Sequence, residues 1–231
     1  MIVAALGEAA EMSGEASSRT NIEIPGIQKE LLKALLKTGK PVVLVLFTGR
    51  PLALKWEQEN VPAILNVWFG GSEAGYAVAD VLFGDVNPSG KLSTTFPQNI
   101  GQVPIFYNHK NTGRPLPEGK WFQKFRSNYL DVSNDPLYPF GYGLSYTSFS
   151  YSEIKLSNTS FKAGQKITAS VTVTNTGNKA GKEVVQLYIR DLVGTSTRPV
   201  KELKGFQKIE LKAGESKTVS FDPVLDRKSV V

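Results

Sequence analysis

The spacing of apolar residues changes part-way along the chain, and this change limits the folds open to it. Up to about residue 95, short apolar runs such as 41–47 alternate with amphipathic segments. One of these segments carries leucines at helical spacing, at positions Leu31, Leu32, Leu35 and Leu36. Strands that are apolar throughout and are separated by helices predict a parallel sheet covered on both faces. Residues 1–95 are therefore predicted to be the latter part of an α/β sandwich.

From about residue 147 the apolar residues recur with a period of two. Ile167, Ala169, Val171 and Val173 alternate with polar residues, and later runs of this kind are separated by turn signals such as NTGN, KAGQ and KAGE. This pattern predicts an antiparallel β-sandwich of the immunoglobulin style over 147–231. We count five or six strands where such a sandwich needs about seven, so the domain is predicted to be incomplete at its C-terminus.

Between these two parts, residues 96–146 are dominated by proline, glycine and aromatic residues. A stretch of this length without regular structure is uncommon inside a compact protein, and its aromatic residues argue against free disorder. We expect it to be a connecting segment that packs over both neighbouring domains.

Composition excludes several classes of function. The chain has 231 residues, enough for two modest domains, and no cysteine, which excludes disulfides and thiolate-held metal. Its net charge is +6, but lysine and arginine are spread among acidic residues along the whole length, which argues against nucleic-acid binding. No apolar stretch approaches the roughly 20 residues that span a bilayer, and the first residues lack the pattern of a signal peptide.

A glutamate in a loop of small residues is the candidate for chemistry. Glu15 lies between Gly14 and Ala16, after a predicted strand and before a predicted helix. Open α/β sheets place their ligand crevices at the carboxyl ends of strands, which is where this loop would lie. The alternatives are that Glu15 is an ordinary surface carboxylate or that the neighbouring Glu11 has the catalytic role.

Other residues of the chain give weaker signals. His109 is the only histidine, and without a second histidine or a cysteine it predicts no metal site; a loop residue at a domain seam is favoured over a substrate contact. Arg114 and Trp121 could line a sugar site or simply anchor loops. The glycines of 69–75 match no phosphate-binding motif and indicate close helix packing. The aromatic residues of 138–149 indicate interdomain packing.

Several long motifs, in this order, give the chain a resemblance to the C-terminal portion of glycoside hydrolase family 3, of the bacterial periplasmic β-glucosidase type. The resemblance covers nearly the full length. The matching stretches are GEASSRTNIEIPGIQKELL, GKPVVLVLFTGRPLAL, GGSEAGYAVADVLFGDVNPSGKLSTTFP, YNHKNTGRP, YPFGYGLSYTSF, VTVTNTGNKAGKEVVQLYIRD and RPVKELKGFQKIELKAGES.

This resemblance implies a three-part enzyme that cleaves β-glucosides with retention of configuration. A barrel would carry a nucleophilic aspartate, the α/β sandwich would carry the general acid/base, and a fibronectin type III-like domain would follow. The acid/base position matches Glu15, and no position of this chain matches the nucleophile. A general acid needs a raised pKa; Glu8 and Glu11, which lie near Glu15 in sequence, would favour this, while Arg19 would oppose it.

The chain is therefore expected to be a fragment of a retaining β-glucosidase, shortened at both ends and inactive alone. Its expected partners are a β-glucoside or oligosaccharide substrate and the missing barrel domain; no cofactor, nucleic acid or membrane is expected, and no oligomeric state is predicted. Because many relatives are exported, a periplasmic or extracellular location is expected of the full-length protein. The alternative is a non-catalytic sugar- or protein-binding module.

Overall fold

The first part of the chain forms a three-stranded parallel sheet. The computed structural model describes residues 1–160, 166–194 and 196–223, so the predicted KAGQ turn at 162–165 and the chain end from 224 lie outside the described residues. The strands lie side by side in the order β1-β2-β3. Their bounds are β1 Ile2–Gly7, β2 Val42–Phe47 and β3 Ala63–Asn66. The predicted parallel sheet is confirmed.

Two helices connect these strands as the sequence predicts, and a third helix follows the last strand. Their bounds are α1 Gly26–Leu36, α2 Lys55–Asn60 and α3 Ala74–Phe83. Gly84 ends α3 in the left-handed conformation (φ 86°) that glycine adopts readily. Helix α1 ends at Leu36, and a turn over 37–39 follows it.

Only one face of the sheet is fully covered. Residues of β1 and β2 that point to this face pack with Leu32 of α1 and with Phe96 from the connecting segment, all of them buried. On the other face Val3 is exposed, and α3 has no buried residue although it is strongly apolar. Tyr76 and Phe83 of this helix are 76% and 75% exposed. Val45 of the central strand, on the same face as Val3, is only 1% exposed, so the prediction of a sheet covered on both faces holds only in part for the described residues.

The second part of the chain forms an antiparallel β-sandwich with six strands in the described residues. Strand β6 pairs with β4 and β5 on one side and with β9 on the other, and β7 pairs with β8 in the opposite sheet. The bounds are β4 Phe149–Tyr151, β5 Lys155–Leu156, β6 Ala169–Asn175, β7 Gly181–Ile189, β8 Glu202–Leu211 and β9 Ser216–Phe221. Valine, isoleucine and leucine side chains from both sheets form the core between them.

The connecting segment joins the two parts at its ends. Phe96 is buried in the first core, and Tyr107 stacks on Phe140 with ring centroids 4.3 Å apart while its edge meets Tyr188 of β7. Residues 117–127 are exposed, and the side chain of Trp121 among them is 54% exposed. The expected packing therefore holds near Phe96, Tyr107 and Phe140 and does not hold around Trp121.

An ion pair and an asparagine also join the two parts. Lys91 lies 3.1 Å from the carboxylate of Glu183 on β7, and both side chains are largely buried. The Asn87 amide donates a hydrogen bond to the Ala180 carbonyl at 2.9 Å and accepts one from the Ser145 hydroxyl at 2.9 Å. These contacts bring the motif at 138–149 into the junction, as the sequence indicates.

Candidate active site

The loops at the carboxyl ends of all three parallel strands meet at one edge of the sheet. The loop after β1 covers residues 8–19 and is called the Glu15 loop below. Gly49, in the loop after β2, is closely surrounded by the other two loops. A Cβ atom added at this position would lie 1.9 Å from the Ser13 hydroxyl oxygen and 2.7 Å from the Phe69 ring. Since Phe69 follows β3, the three loops are in contact at this glycine.

Glu15 lies at the tip of a tight turn in this loop. The Ser17 amide donates a hydrogen bond to the Gly14 carbonyl at 3.2 Å, and Ala16 adopts a left-handed backbone (φ 58°) that is uncommon for a residue with a Cβ atom. The Glu15 side chain is exposed, and within the described ranges its carboxylate has no hydrogen bond and no ion pair. It is therefore free to meet a ligand that approaches this edge.

Glu8, at the start of the loop, is fully committed to internal contacts. Its side chain is buried and accepts hydrogen bonds from Thr48 at 2.7 Å, from Arg19 at 2.7 Å and from the Gly49 amide at 3.2 Å. The Arg50 Nε atom lies 3.0 Å from the same carboxylate. Burial would raise the pKa of Glu8, but these hydrogen bonds and the Arg50 charge together hold it below its ordinary value. Glu8 and Arg19 thus pair with each other and not with Glu15.

Arg50 connects Glu8 to the backbone on both sides of Glu15. While its Nε atom faces Glu8, its Nη2 atom donates to the carbonyl of Met12 and, at 3.3 Å, to the carbonyl of Ser17. The planar guanidinium group suits this arrangement, because its donors point in fixed and different directions. Sequence reasoning missed Arg50, which only the fold brings beside the loop.

A glutamine from α1 fixes the point where the loop leaves the sheet. The Gly7 amide donates to the Gln28 side-chain oxygen at 2.8 Å, and the Gln28 amide group donates back to the Gly7 carbonyl at 2.9 Å. Gly7 has a positive φ of 145°, and an added Cβ atom would lie 1.7 Å from the Phe47 carbonyl oxygen. Only glycine fits here, and sequence reasoning missed this pair too.

The remaining candidates lie in different surroundings. Glu11 is exposed in a 3₁₀ turn over Ala10–Met12 of the Glu15 loop. His109 is exposed at the seam to the β-sandwich, where its carbonyl accepts from the Val200 amide at 2.9 Å. Arg114 and Trp121 are exposed on the connecting segment, and no described hydrogen bond joins them to the Glu15 loop. The structure therefore does not gather these residues into one site.

Neither a metal site nor a membrane span is found in the described part of the chain. No group of three or more histidine, aspartate or glutamate side chains there could hold a metal ion. None of the described helices is both long enough and apolar enough to cross a bilayer.

Family comparisons now identify the protein class. A family model described as the glycosyl hydrolase family 3 C-terminal domain matches residues 1–146, which include the whole Glu15 loop. The chain belongs to glycosyl hydrolase family 3. A second family model, described as a fibronectin type III-like domain, matches residues 183–230. The resemblance drawn from the sequence motifs is thus confirmed.

Similar proteins with family 3 activities cover this chain almost completely. A periplasmic beta-glucosidase of Salmonella typhimurium is 56% identical over 96% of the chain, and a beta-xylosidase of Formosa agariphila is 46% identical over 100% of it. The crystal structure of a beta-glucosidase from Listeria innocua in complex with isofagomine superposes with a TM-score of 0.92 at 47% identity and covers 96% of the chain. The chain spans only 29% of the Salmonella protein, 31% of the Formosa protein and 31% of the Listeria chain.

Proposed function

We propose that this chain is the acid/base half of a retaining β-glucosidase and that Glu15 is its general acid/base. The observation that carries the proposal is the state of the carboxylates in the Glu15 loop. Glu8 is buried and bound by two arginines, whereas Glu15 stands exposed at the tip of a braced turn. A group that donates a proton to a leaving oxygen must reach that oxygen, so exposure at the sheet edge favours Glu15 over Glu8. Glu11 is exposed as well, and the match of Glu15 to the acid/base position of the family favours Glu15 over Glu11.

Retaining glycosidases need two carboxyl groups about 5 to 5.5 Å apart. One attacks the anomeric carbon while the other protonates the leaving oxygen, and the second group then takes a proton from the water that releases the sugar. We assign the second role to Glu15 and place the nucleophile on a barrel domain outside this sequence. This is consistent with a chain that spans about three tenths of its relatives, and it predicts that the chain alone does not hydrolyse glycosides.

The substrate class follows from the names of the relatives. The Salmonella relative is named as a beta-glucosidase, and the Listeria structures were solved in complex with glucose and gluconolactone. We therefore propose β-glucosides as substrates; β-xylosides are the comparison to test, since the Formosa relative is named a beta-xylosidase.

The Salmonella relative is named as periplasmic, and we extend that location to the full-length protein. We also propose a domain boundary near residue 147.

The test uses a hybrid enzyme, in which this chain replaces the aligned part of the Salmonella beta-glucosidase. The variant is Glu15→Gln, which keeps the shape of the side chain and removes the proton. We measure kcat/KM, which reports the first chemical step, for methyl β-glucoside and for 2,4-dinitrophenyl β-glucoside. The first substrate needs a proton on its leaving oxygen and should lose about 10²- to 10⁴-fold, while the second leaves unaided and should lose less than about tenfold.

The matched control is Glu11→Gln in the same loop, which should change neither substrate by more than about threefold. Equal losses on both substrates for Glu15→Gln, or the selective loss appearing in Glu11→Gln instead, would contradict the assignment. If the hybrid itself is inactive, the same substitutions are made at the aligned positions of the unaltered Salmonella enzyme.

A further inference from the structure

One arginine and one close packing contact hold the turn that presents Glu15. The Arg50 Nη2 atom donates to the carbonyls of Met12 and Ser17, which flank Glu15 in sequence. Its Nε atom faces the buried carboxylate of Glu8 at 3.0 Å. Ser13 packs against Gly49, so the same side of the loop is also fixed by close contact.

We infer that Arg50 is a positioning residue, which holds the Glu15 carboxylate at the leaving oxygen by bridging the two backbone carbonyls that flank its turn. The inference rests on the proposed role of Glu15. Arg50 itself need not touch the substrate, because both sides of its guanidinium group are taken by Glu8 and by the loop backbone.

The local backbone gives a physical reason why the turn needs the hydrogen bonds of Arg50. Ala16 holds a left-handed conformation, which costs free energy in a residue with a Cβ atom and persists only where the surroundings enforce it. The Gly14–Ser17 hydrogen bond of 3.2 Å is a single weak link across this turn. Without the donors of Arg50, the turn can relax, and Glu15 then spends less time where a proton can be transferred.

Burial of Glu8 fixes the position of Arg50. The Glu8 side chain is fully buried, and its carboxylate is held from four sides by Thr48, the Gly49 amide, Arg19 and Arg50. The Nε atom of Arg50 forms an ion pair with this carboxylate while its Nη2 atom donates to two carbonyls, so contacts on two edges of the guanidinium group restrict its orientation. Glu8 thus orients Arg50, and Arg50 in turn orients the loop backbone.

The decisive variant is Arg50→Lys in the hybrid enzyme. Lysine keeps the positive charge for Glu8, but a single ammonium nitrogen cannot face Glu8 and also bridge two carbonyls. The matched control is Arg19→Lys, which alters the other arginine on Glu8 and leaves the bridge to Met12 and Ser17 intact.

A positioning role predicts a selective loss. Arg50→Lys should lower kcat/KM for methyl β-glucoside on the order of 10- to 100-fold, the scale expected when a catalytic group is misplaced. It should change kcat/KM for 2,4-dinitrophenyl β-glucoside by less than about threefold, since that substrate needs no proton. Arg19→Lys should leave the ratio of the two values unchanged.

The double variant Arg50→Lys/Glu15→Gln separates positioning from stability. If Arg50 acts through Glu15, adding Arg50→Lys to Glu15→Gln should cause no further loss on methyl β-glucoside. A purely structural role would lower both substrates equally and would add to the effect of Glu15→Gln; that result would overturn the inference.

The two proposals fail in different ways. If Glu15→Gln shows the selective loss and Arg50→Lys does not, the positioning role is wrong and the acid/base role stands. If Glu15→Gln shows no selective loss, the acid/base role is wrong and the inference falls with it. If Arg50→Lys does not fold, as judged by circular dichroism, Arg50→Gln at the aligned position of the Salmonella enzyme is measured with the same two substrates and the same criteria.

Discussion

Replacing Glu8 by glutamine tests whether the buried carboxylate holds the Glu15 loop. The change removes the negative charge and turns an amide NH₂ group toward donors that need an acceptor. On the Oε1 side, the substitution removes the hydrogen-bond acceptor of Arg19 at 2.7 Å and the ion-pair partner of Arg50 at 3.0 Å. The amide oxygen can still accept hydrogen bonds from Thr48 and from the Gly49 amide.

The size of the effect follows from these interactions. A hydrogen bond to a charged group contributes about 1.5 to 3 kcal/mol, and removing one member of a buried pair costs about 3 to 5 kcal/mol. The Arg19 and Arg50 side chains are 20% and 18% exposed, so water can replace part of the missing acceptor. We therefore expect Glu8→Gln to lower the free energy of unfolding by about 3 kcal/mol at pH 7, the lower end of that range.

The assay is urea unfolding of this chain, followed by the fluorescence of Trp56 and Trp68, which pack against the first core. With a slope of about 2 kcal/mol per molar urea, the midpoint should fall by about 1.5 M. The matched control is Glu30→Gln. Glu30 lies equally close to a cation, Lys33 at 2.7 Å, but both side chains are exposed, so its midpoint should not shift measurably.

The pH dependence supplies a second check. Because the pKa of Glu8 is lower in the folded state than in the unfolded chain, its contribution is present above about pH 4.5 and is lost as pH falls through the folded pKa. The difference between the wild-type and Glu8→Gln midpoints should therefore shrink below pH 4.5. A shift of less than about 0.5 M at pH 7, or a difference that stays constant down to pH 3, would show that the Glu8 carboxylate does not hold the loop.

Two further predictions concern stability. Lys91→Met leaves the carboxylate of Glu183 without its cation, while the Tyr151 hydroxyl still donates to it at 2.9 Å. Urea unfolding should show that the free energy of unfolding falls by about 1 to 3 kcal/mol. An unchanged midpoint would contradict the ion pair at the junction. Burial raises the pKa of Glu57, and Lys29 at 3.9 Å only partly opposes this, so the wild type should lose stability as pH rises above about 4.5. Glu57→Gln should lose less than the wild type between pH 4 and pH 8, and parallel pH curves would contradict this.

The sequence predicts the fold best where one pattern governs a whole element. Strand β2 is apolar at every position and is the central strand of the parallel sheet, and the alternation of β6 is that of a sandwich strand. Helix α3 shows the limit of this reasoning. Its composition predicts burial, yet none of its residues is buried. Hydropathy indicates that a helix needs a partner, but it does not show whether the described chain provides that partner.

The candidate site is predictable only in part. The position of Glu15 after a strand and among small residues is a local feature, so the sequence alone is enough to predict it. The contacts of Glu8 with the loop at Thr48 to Arg50, and of Gly7 with Gln28, join residues 21 or more positions apart, and no periodicity signals them. Sequence proximity alone predicts an interaction of Arg19 with Glu15, whereas in the fold Arg19 forms an ion pair with Glu8.

Chemical rescue of the Glu15→Gln hybrid enzyme by azide tests the acid/base role itself. Once 2,4-dinitrophenol has left, the sugar remains bound to the nucleophile, and water needs the missing base to release it. Azide needs no base: its nitrogen forms a bond to the anomeric carbon as the bond to the enzyme carboxylate breaks. We expect azide to restore kcat in Glu15→Gln and to yield β-glucosyl azide, with no such product from Glu11→Gln. Rescue absent in Glu15→Gln, or an α-glucosyl azide product, would contradict the role assigned to Glu15.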